Sequence, residues 1–303
     1  MEHKMITILG TTATGKTRLA AQLAALIGGE IISADSRQVY RGMDLGTGKD
    51  LDDFIIDGKR IPYHLIDIVD PGYEFNVYEY QQLFYDAYNQ IVENKNIPIL
   101  VGGSGMYIEA VLKAYRMAKV ARNEALRLRL ENKTDEELVE ILLSNRVLHN
   151  TTDTTDRERT IRAIEIDEYY RNHPELLQDI PKIKSINFGI RFDRAEIRNR
   201  ITERLDQRLK EGMSVEVQKL LDEGVSAEML KFYGLEYKYI TQHLLGEIEY
   251  NEMFTLLNTA IHQFAKRQET WWRRMEKNGT RIHWLDGHID NQEKIGLILG
   301  KLK

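Results

Sequence analysis

Gly10-Thr-Thr-Ala-Thr-Gly15-Lys16-Thr17 has the G-x-x-x-x-G-K-[ST] spacing of a loop that cradles phosphate. Glycines let backbone N–H groups turn toward one anion, and the positive end of a following helix dipole reinforces them. Gly10, Thr11, Thr12, Ala13, Thr14, Gly15, Lys16 and Thr17 are therefore expected to hold a diphosphate or triphosphate. Lys16 would reach the terminal phosphates, and the Thr17 hydroxyl could hold Mg²⁺. A carboxylate follows at Asp35-Ser36-Arg37-Gln38. Beside a diphosphate it could serve as a metal ligand, as a general base, or only as a helix cap. A second glycine turn, Gly102-Gly103-Ser104-Gly105, offers the Ser104 hydroxyl to a bridging or leaving oxygen.

Strands and helices must bring these groups together. Met5–Leu9 is a short apolar run that stops at Gly10, as a buried parallel strand does. Thr17–Ile27 carries a helical stripe closed by Gly28-Gly29. Glu30–Ala34 predicts a second strand with Asp35 at its carboxyl end, where open α/β sheets form their ligand crevice. His64–Val69 and Ile97–Val101 read as further strands, and Tyr78–Val92 as a helix between them. The alternation predicts an α/β fold, a parallel sheet flanked by helices in the manner of P-loop NTPases. The charged stretch after Met117 lacks a buried strand and reads as a small helical insertion. The expected division is residues 1–116 and 156–303 as catalytic core, with 117–155 as the insertion. Ser185–Phe192 would rejoin the sheet, and residues 194–274 are helical by periodicity, with a break around Phe232-Tyr-Gly234.

Composition narrows the function classes. The 303 residues carry 42 Lys and Arg against 47 Asp and Glu, a net charge of −5, which excludes a uniformly basic nucleic-acid binder but not a local basic groove. No cysteine is present, so thiolate metal sites, disulfides and a cysteine nucleophile are excluded. No apolar run approaches the roughly 20 residues of a membrane span, and a cytoplasmic location is expected. Asn132-Lys-Thr-Asp135 matches the guanine reader of GTPases literally, but Thr134-Asp-Glu-Glu137 reads as a helix N-cap and no D-x-x-G accompanies it. A Walker-B aspartate is not evident, with Asp67 as the remaining option.

Basic residues gather in three stretches. Arg191 to Lys210 reads mostly as solvated i,i+4 pairing, Arg157, Arg159 and Arg162 form a second cluster, and Gln263 to Arg274 combines Lys266, Arg267, amides and two indoles. The last combination suits phosphate contact and base stacking, although Trp271 and Trp272 fit a helix-packing role equally well.

Taken in order, these motifs resemble the tRNA dimethylallyltransferases, also called tRNA isopentenyltransferases. The similar stretches are Gly10–Thr17, Ile32–Lys49, His64–Pro71, Val101–Tyr107, Asp156–Glu165 and Ala265–Trp271, and they run nearly the full chain. The Asp-Ser-Arg-Gln and Lys-Arg-Gln-x-Thr-Trp motifs are more distinctive than the phosphate loop. Departures are Thr11 where the family usually has Pro, Gly234-Leu-Glu-Tyr237 for its Gly-Tyr-Lys-Glu, Lys231 for a common Arg, and a short insertion.

The resemblance implies transfer of a dimethylallyl group from dimethylallyl diphosphate to N6 of the adenine immediately 3′ of the tRNA anticodon, with Mg²⁺ required. It places Ser104 near the reacting centre. Adenine N6 is a poor nucleophile, because its lone pair is delocalised, so a carboxylate able to take its proton fits Asp35. Asp35, Ser104 and Lys16 are thus the expected catalytic residues. Asp35, Ser36, Arg37, Gln38, Ser104, Arg159, Arg162, Lys266 and Arg267 are the expected tRNA contacts, and Thr17 the expected metal ligand. The protein is expected to act as a monomer. The readings left standing beside this one are an isopentenyltransferase of free adenine nucleotides, an ATP-binding P-loop kinase of a small metabolite, and a catalytically silent RNA-binding relative.

Overall fold

The structure is a computed structural model, which describes residues 4–145, 156–177 and 179–302. It contains strands β1 (Met5–Gly10), β2 (Gly29–Ala34), β3 (Ile55–Ile56), β4 (Lys59–Arg60), β5 (Tyr63–His64), β6 (Ile97–Gly102), β7 (Ser185–Arg191) and β8 (His283–Asp286). The helices are α1 (Lys16–Ile27), α2 (Val77–Glu93), α3 (Gly105–Leu112), α4 (Glu124–Leu130), α5 (Asp135–Asn145), α6 (Arg157–Asn172), α7 (Arg194–Lys210), α8 (Met213–Asp222), α9 (Ala227–Phe232), α10 (Leu235–Leu244), α11 (Tyr250–Lys277) and α12 (Asn291–Leu302).

Two compact units divide the chain. The larger comprises residues 1–113 and 182–303, and the smaller Ala114–Pro181. In the larger unit six strands pair in the order β5-β2-β6-β1-β7-β8, every pair parallel. Both faces are covered, which is why β1 and β2 read as continuous apolar runs. Period-two alternation sorts their side chains: Ile6, Ile8, Ile31, Ile99 and Val101 pack with Leu19, Leu23 and Ile298 on one face. Met5, Leu9, Ile32 and Leu100 pack with Tyr80, Phe84, Ile108 and Trp272 on the other. A third core joins Val39, Tyr40 and Met43 to Ile201, Leu205, Val217, Tyr237 and Leu257 of the helices that follow β7. That core anchors the long loop after Asp35, so the loop is held by helices far along the chain.

One expected strand is largely absent. Only Tyr63 and His64 pair with β2. Leu65 and Asp67 then take left-handed backbone (φ 63° and 55°), which ends extension. The Asp67 N–H donates to the Gln38 carbonyl at 3.1 Å and the Ile68 N–H to the Val39 carbonyl at 2.8 Å, so loop residues replace a strand partner. The Asp67 carboxylate pairs with buried Lys49, which also donates to Asp44 at 2.8 Å and to the Tyr40 carbonyl at 2.8 Å. Asp67 is therefore a counter-ion of the loop core and not a Walker-B residue. Past residue 274 the structure adds β8 and α12. The four residues His283–Asp286 are too few to announce a strand, yet β7 supplies the partner.

The smaller unit is helical, as expected, but larger than residues 117–155. Ile161, Ala163 and Ile164 of α6 bury against Leu126, Leu130, Leu138 and Leu142, and so belong with the insertion. Residues 146–155, part of that expected segment, lie outside the described ones. Glu165 has no exposed side-chain surface and takes Arg127 at 2.7 and 3.0 Å, Arg162 at 3.0 Å and the Asn123 N–H at 2.9 Å. Burial opposes ionisation there, but the bonds from Arg127, Asn123 and Arg162 outweigh it and hold the carboxyl down to about 2. Thr134 and Glu137 form a reciprocal capping box at 2.8 and 3.3 Å, which accounts for the GTPase-like tetrapeptide.

Candidate active site

The phosphate loop leaves β1 at Gly10 and enters α1 at Lys16. Ala13 and Gly15 take positive φ (61° and 74°), the left-handed turns that aim consecutive N–H groups inward. Inside the loop the Thr14 hydroxyl donates to the Thr11 carbonyl at 2.9 Å, and Lys16 Nζ donates to that same carbonyl at 3.1 Å. No side chain caps α1 and no acid stands in its first turn, so its terminal N–H groups remain available to an anion. Burial pushes Lys16 down to about 8, Asp35 draws it upward, and Arg204 depresses it further. From the opposite side, Arg200 Nε of α7 donates to the Ala13 carbonyl at 2.9 Å while its guanidinium lies 4.6 Å from the Phe192 ring centroid.

Asp35 directly follows β2 and Ser104 stands one residue beyond the end of β6, adjacent strands of the sheet. Asp35 Oδ1 accepts the Arg37 N–H at 2.9 Å. Ser104 Oγ accepts the Ser36 N–H at 3.0 Å and is 3.3 Å from the Ser36 hydroxyl, so the two expected residues are tied through Ser36. Lys16, Asp35 and Ser104 thus meet at the carboxyl edge of the sheet.

Gln268 of α11 joins the two glycine loops, a role absent from the expected set. Its Oε1 accepts the Thr12 N–H at 2.9 Å and its Nε2 donates to the Gly103 carbonyl at 2.9 Å. Gly103 leaves room for this amide, because a Cβ there would stand 2.5 Å from Nε2. One signal in the sequence pointed to it: Ile261, Ala265, Gln268, Trp272 and Met275 share one buried stripe of α11, and the single polar member needs polar partners. Trp272 is core, 1% exposed, and Trp271 packs over Gly105 with the Arg274 guanidinium 3.9 Å from its ring centroid. Both indoles therefore do packing work.

The arginines of α7 do more than pair along their own helix. Arg204 and Arg208 reach Asp50 at 2.9 and 2.8 Å, and Arg208 donates to the Leu45 carbonyl at 2.8 Å. Across that loop, Glu216 of α8 accepts the N–H groups of Asp44, Leu45 and Gly46 at 2.8, 2.8 and 3.0 Å, and the Tyr237 hydroxyl at 2.6 Å. Nothing in the spacing of α8 marked Glu216, since the loop it holds is about 170 residues earlier. Burial raises the Glu236 carboxyl, with Arg208 and Arg204 opposing that rise and Asp35 adding to it. Charge of both signs thus surrounds the crevice.

The remaining expected contacts divide. Arg37 Nη2 donates to the Phe232 carbonyl at 3.1 Å. Gln38 is engaged inside its loop, accepting from Ser33 and donating to the Gly48 carbonyl, both at 3.1 Å. Lys266 and Arg267 are exposed on α11. Arg159 and Arg162 lie in the smaller unit; Arg159 is exposed, while Arg162 is spent on Glu165 and on the Val120 carbonyl at 2.7 Å. Among the described residues no cluster of three acidic or histidine side chains is placed to hold a metal.

Known proteins resemble this chain in sequence and fold. The sequence pattern of the IPP transferase family matches residues 38–275. The tRNA dimethylallyltransferase 2 of Bacteroides fragilis is 54% identical over 302 residues, covering 100% of this chain and 99% of its own length. The tRNA dimethylallyltransferase 1 of Geotalea daltonii is 53% identical over 300 residues, 98% and 96% of the two chains. Among solved structures, the tRNA isopentenylpyrophosphate transferase of Bacillus halodurans superposes with a TM-score of 0.71 at 31% identity, over 99% of this chain and 95% of its own. That of Staphylococcus epidermidis gives 0.70 at 30% identity, over 98% of both. A parallel sheet with this phosphate loop, matched end to end at such identity, makes the chain a member of the IPP transferase family of tRNA-modifying enzymes.

Proposed function

We propose that this protein transfers a dimethylallyl group from dimethylallyl diphosphate to N6 of the adenine immediately 3′ of the anticodon in tRNA. The observation that carries the proposal is the convergence at one sheet edge of the phosphate loop after β1, the Asp35 carboxylate after β2 and the Ser104 hydroxyl beyond β6. In this reading the uncapped N–H groups at the start of α1 and the Lys16 ammonium hold the diphosphate and stabilise the charge that gathers on it, while the Thr12 N–H stays with Gln268. Adenine N6 attacks the allylic carbon, the C–O bond breaks with its electron pair passing to diphosphate, and the N6 proton passes to the Asp35 carboxylate. The hydrogen bond from Arg37 keeps that carboxylate aimed, and the Ser104 hydroxyl supports the bridging oxygen.

The donor set fits Mg²⁺ rather than a fully caged metal. Thr17 offers one hydroxyl and, among the described residues, no acid cluster stands ready to cage an ion, which suits one that keeps several waters and takes the rest of its ligands from phosphate. When bound it would neutralise charge on the leaving group.

The target base must leave its stack to reach the crevice, with Ser36, Arg37, Lys266, Arg267 and, on the smaller unit, exposed Arg159 as RNA contacts. Arg162, engaged with Glu165 and the Val120 carbonyl, is left out of the set. A tRNA substrate favours the cytoplasm, and among the described residues no helix is long and apolar enough to cross a membrane.

The test mixes protein, Mg²⁺ and unmodified tRNA with either dimethylallyl diphosphate or ATP, then analyses the digested nucleosides by mass spectrometry. N6-dimethylallyladenosine formed only with the allylic diphosphate, and lost in Asp35→Ala, is the expected result. Absence of any modified nucleoside across a full tRNA pool would sink the proposal.

A further inference from the structure

Phe232 closes α9 and is about half exposed as a residue, at 51%, although the segment around it is firmly anchored. Leu230 and Tyr233 on either side are fully buried. The Tyr233 hydroxyl accepts the Gly72 N–H and donates to the Tyr73 carbonyl at 3.2 Å, and its ring lies 4.4 Å from that of Tyr40. An apolar ring presented to water on a rigid support has the character of a binding residue, since little ordering remains to be lost when something covers it.

Its neighbour identifies the occupant. Arg37 donates from Nη2 to the Phe232 carbonyl at 3.1 Å, its Cζ stands 5.5 Å from the Phe232 ring centroid, and its own N–H donates to Asp35 at 2.9 Å. One residue thus links the proton acceptor to the exposed ring. A guanidinium beside an aromatic face is a surface on which unstacked RNA bases settle, with a cation in reach of their phosphates. An adenine drawn out of an RNA loop exposes the face of the base next to it, and that face needs a new partner.

We infer that Phe232, with Arg37 beside it, is a stacking shelf for the nucleobase adjacent to the reacting adenine, and so a substrate-binding residue of the transferase. The inference rests on the assignment of Asp35 as the residue that meets the target adenine. A phenyl ring has no hydrogen-bonding group, so the shelf reads the presence of a flanking base and not its identity. Its effect falls on RNA affinity and leaves the diphosphate site alone.

The experiment uses the full chain with two unmodified anticodon stem–loops, carrying 2-aminopurine on the 5′ or the 3′ side of the target adenine. Phe232→Ala and Phe232→Tyr are compared with the native protein. Phe232→Ala is expected to weaken RNA binding and raise the RNA KM about tenfold, with kcat and the KM for dimethylallyl diphosphate unchanged. Binding by the native protein should change the fluorescence of one of the two probes; Phe232→Ala should lose that change and Phe232→Tyr should keep it. Equal RNA affinity and equal fluorescence in Phe232→Ala and native protein would overturn the shelf. So would a joint loss of kcat and diphosphate affinity in both variants, since that marks a ring needed only for folding. If the native protein makes no N6-dimethylallyladenosine yet Phe232→Ala still loses the fluorescence change, the shelf stands and the reading of the chemistry falls.

Discussion

Raising the pH from about 7 to about 9 should weaken binding of dimethylallyl diphosphate to the free protein about tenfold, through Lys16. In the unliganded site burial pushes this lysine from 10.5 down to about 8, against the pull of Asp35. A bound diphosphate favours the ammonium form, so the complex keeps its proton through this window. Above about pH 8 binding must therefore take up a proton, and apparent affinity falls by roughly a decade per unit. Ester phosphate oxygens finish titrating near pH 6, so the ligand contributes little to the trend. The sign for folding runs the other way. Between about 8 and 10.5 the unfolded chain holds a proton that folded Lys16 has released, so stability of the free protein rises with pH. Titration calorimetry in two buffers of different ionisation enthalpy measures both affinity and proton uptake. Lys16→Met should bind weakly with a flat profile. A native affinity that stays constant across the window, or binding without proton uptake at about pH 9, would refute the reasoning.

Other consequences follow from the same geometry. Asp35→Asn should lower kcat on the order of 10² to 10⁴-fold while RNA affinity measured by fluorescence is retained, because the amide cannot take the N6 proton. Gln268→Ala removes two hydrogen bonds that join the glycine loops, and urea unfolding should show a loss of about 2 kcal/mol together with a raised KM for the diphosphate. In the smaller unit, Glu165→Gln leaves Arg127 without its buried partner and should destabilise α6 by about 3 kcal/mol at neutral pH, read by hydrogen exchange of its amides. The Glu165 contribution is present above about pH 4.5 and lost as pH falls through about 2, so native protein and variant should converge in strong acid.

Much of the site was legible because its chemistry is local. A glycine-rich turn between an apolar strand and an amphipathic helix has few other uses, and Asp35 and Ser104 stand within two residues of the end of a strand. Position at a strand end is enough to place them on one edge. His64–Val69 misled because apolar β-branched residues predict extension, whereas Lys49 and the carbonyls of Gln38 and Val39 reward a left-handed turn at Asp67. The expected insertion stopped at residue 155, short of the unit's end at Pro181, because α6 carries too weak an apolar stripe to announce its partner, and only packing against Leu126 and Leu138 assigns it.

The sequence by itself determined the α/β alternation, the glycine-rich loop, the carboxylate at the strand end and the family, since each is read from short motifs whose residues lie within a few positions of one another. Only the tertiary structure decided how those parts are held in register. Gln268 spans Thr12 and Gly103, Glu216 gathers the N–H groups of residues 44–46, Arg200 braces Ala13, and Arg37 bridges Asp35 to Phe232. Each of these joins residues far apart in the chain. A buried polar group takes whichever partner the fold brings within about 3 Å, and a linear pattern does not encode that distance.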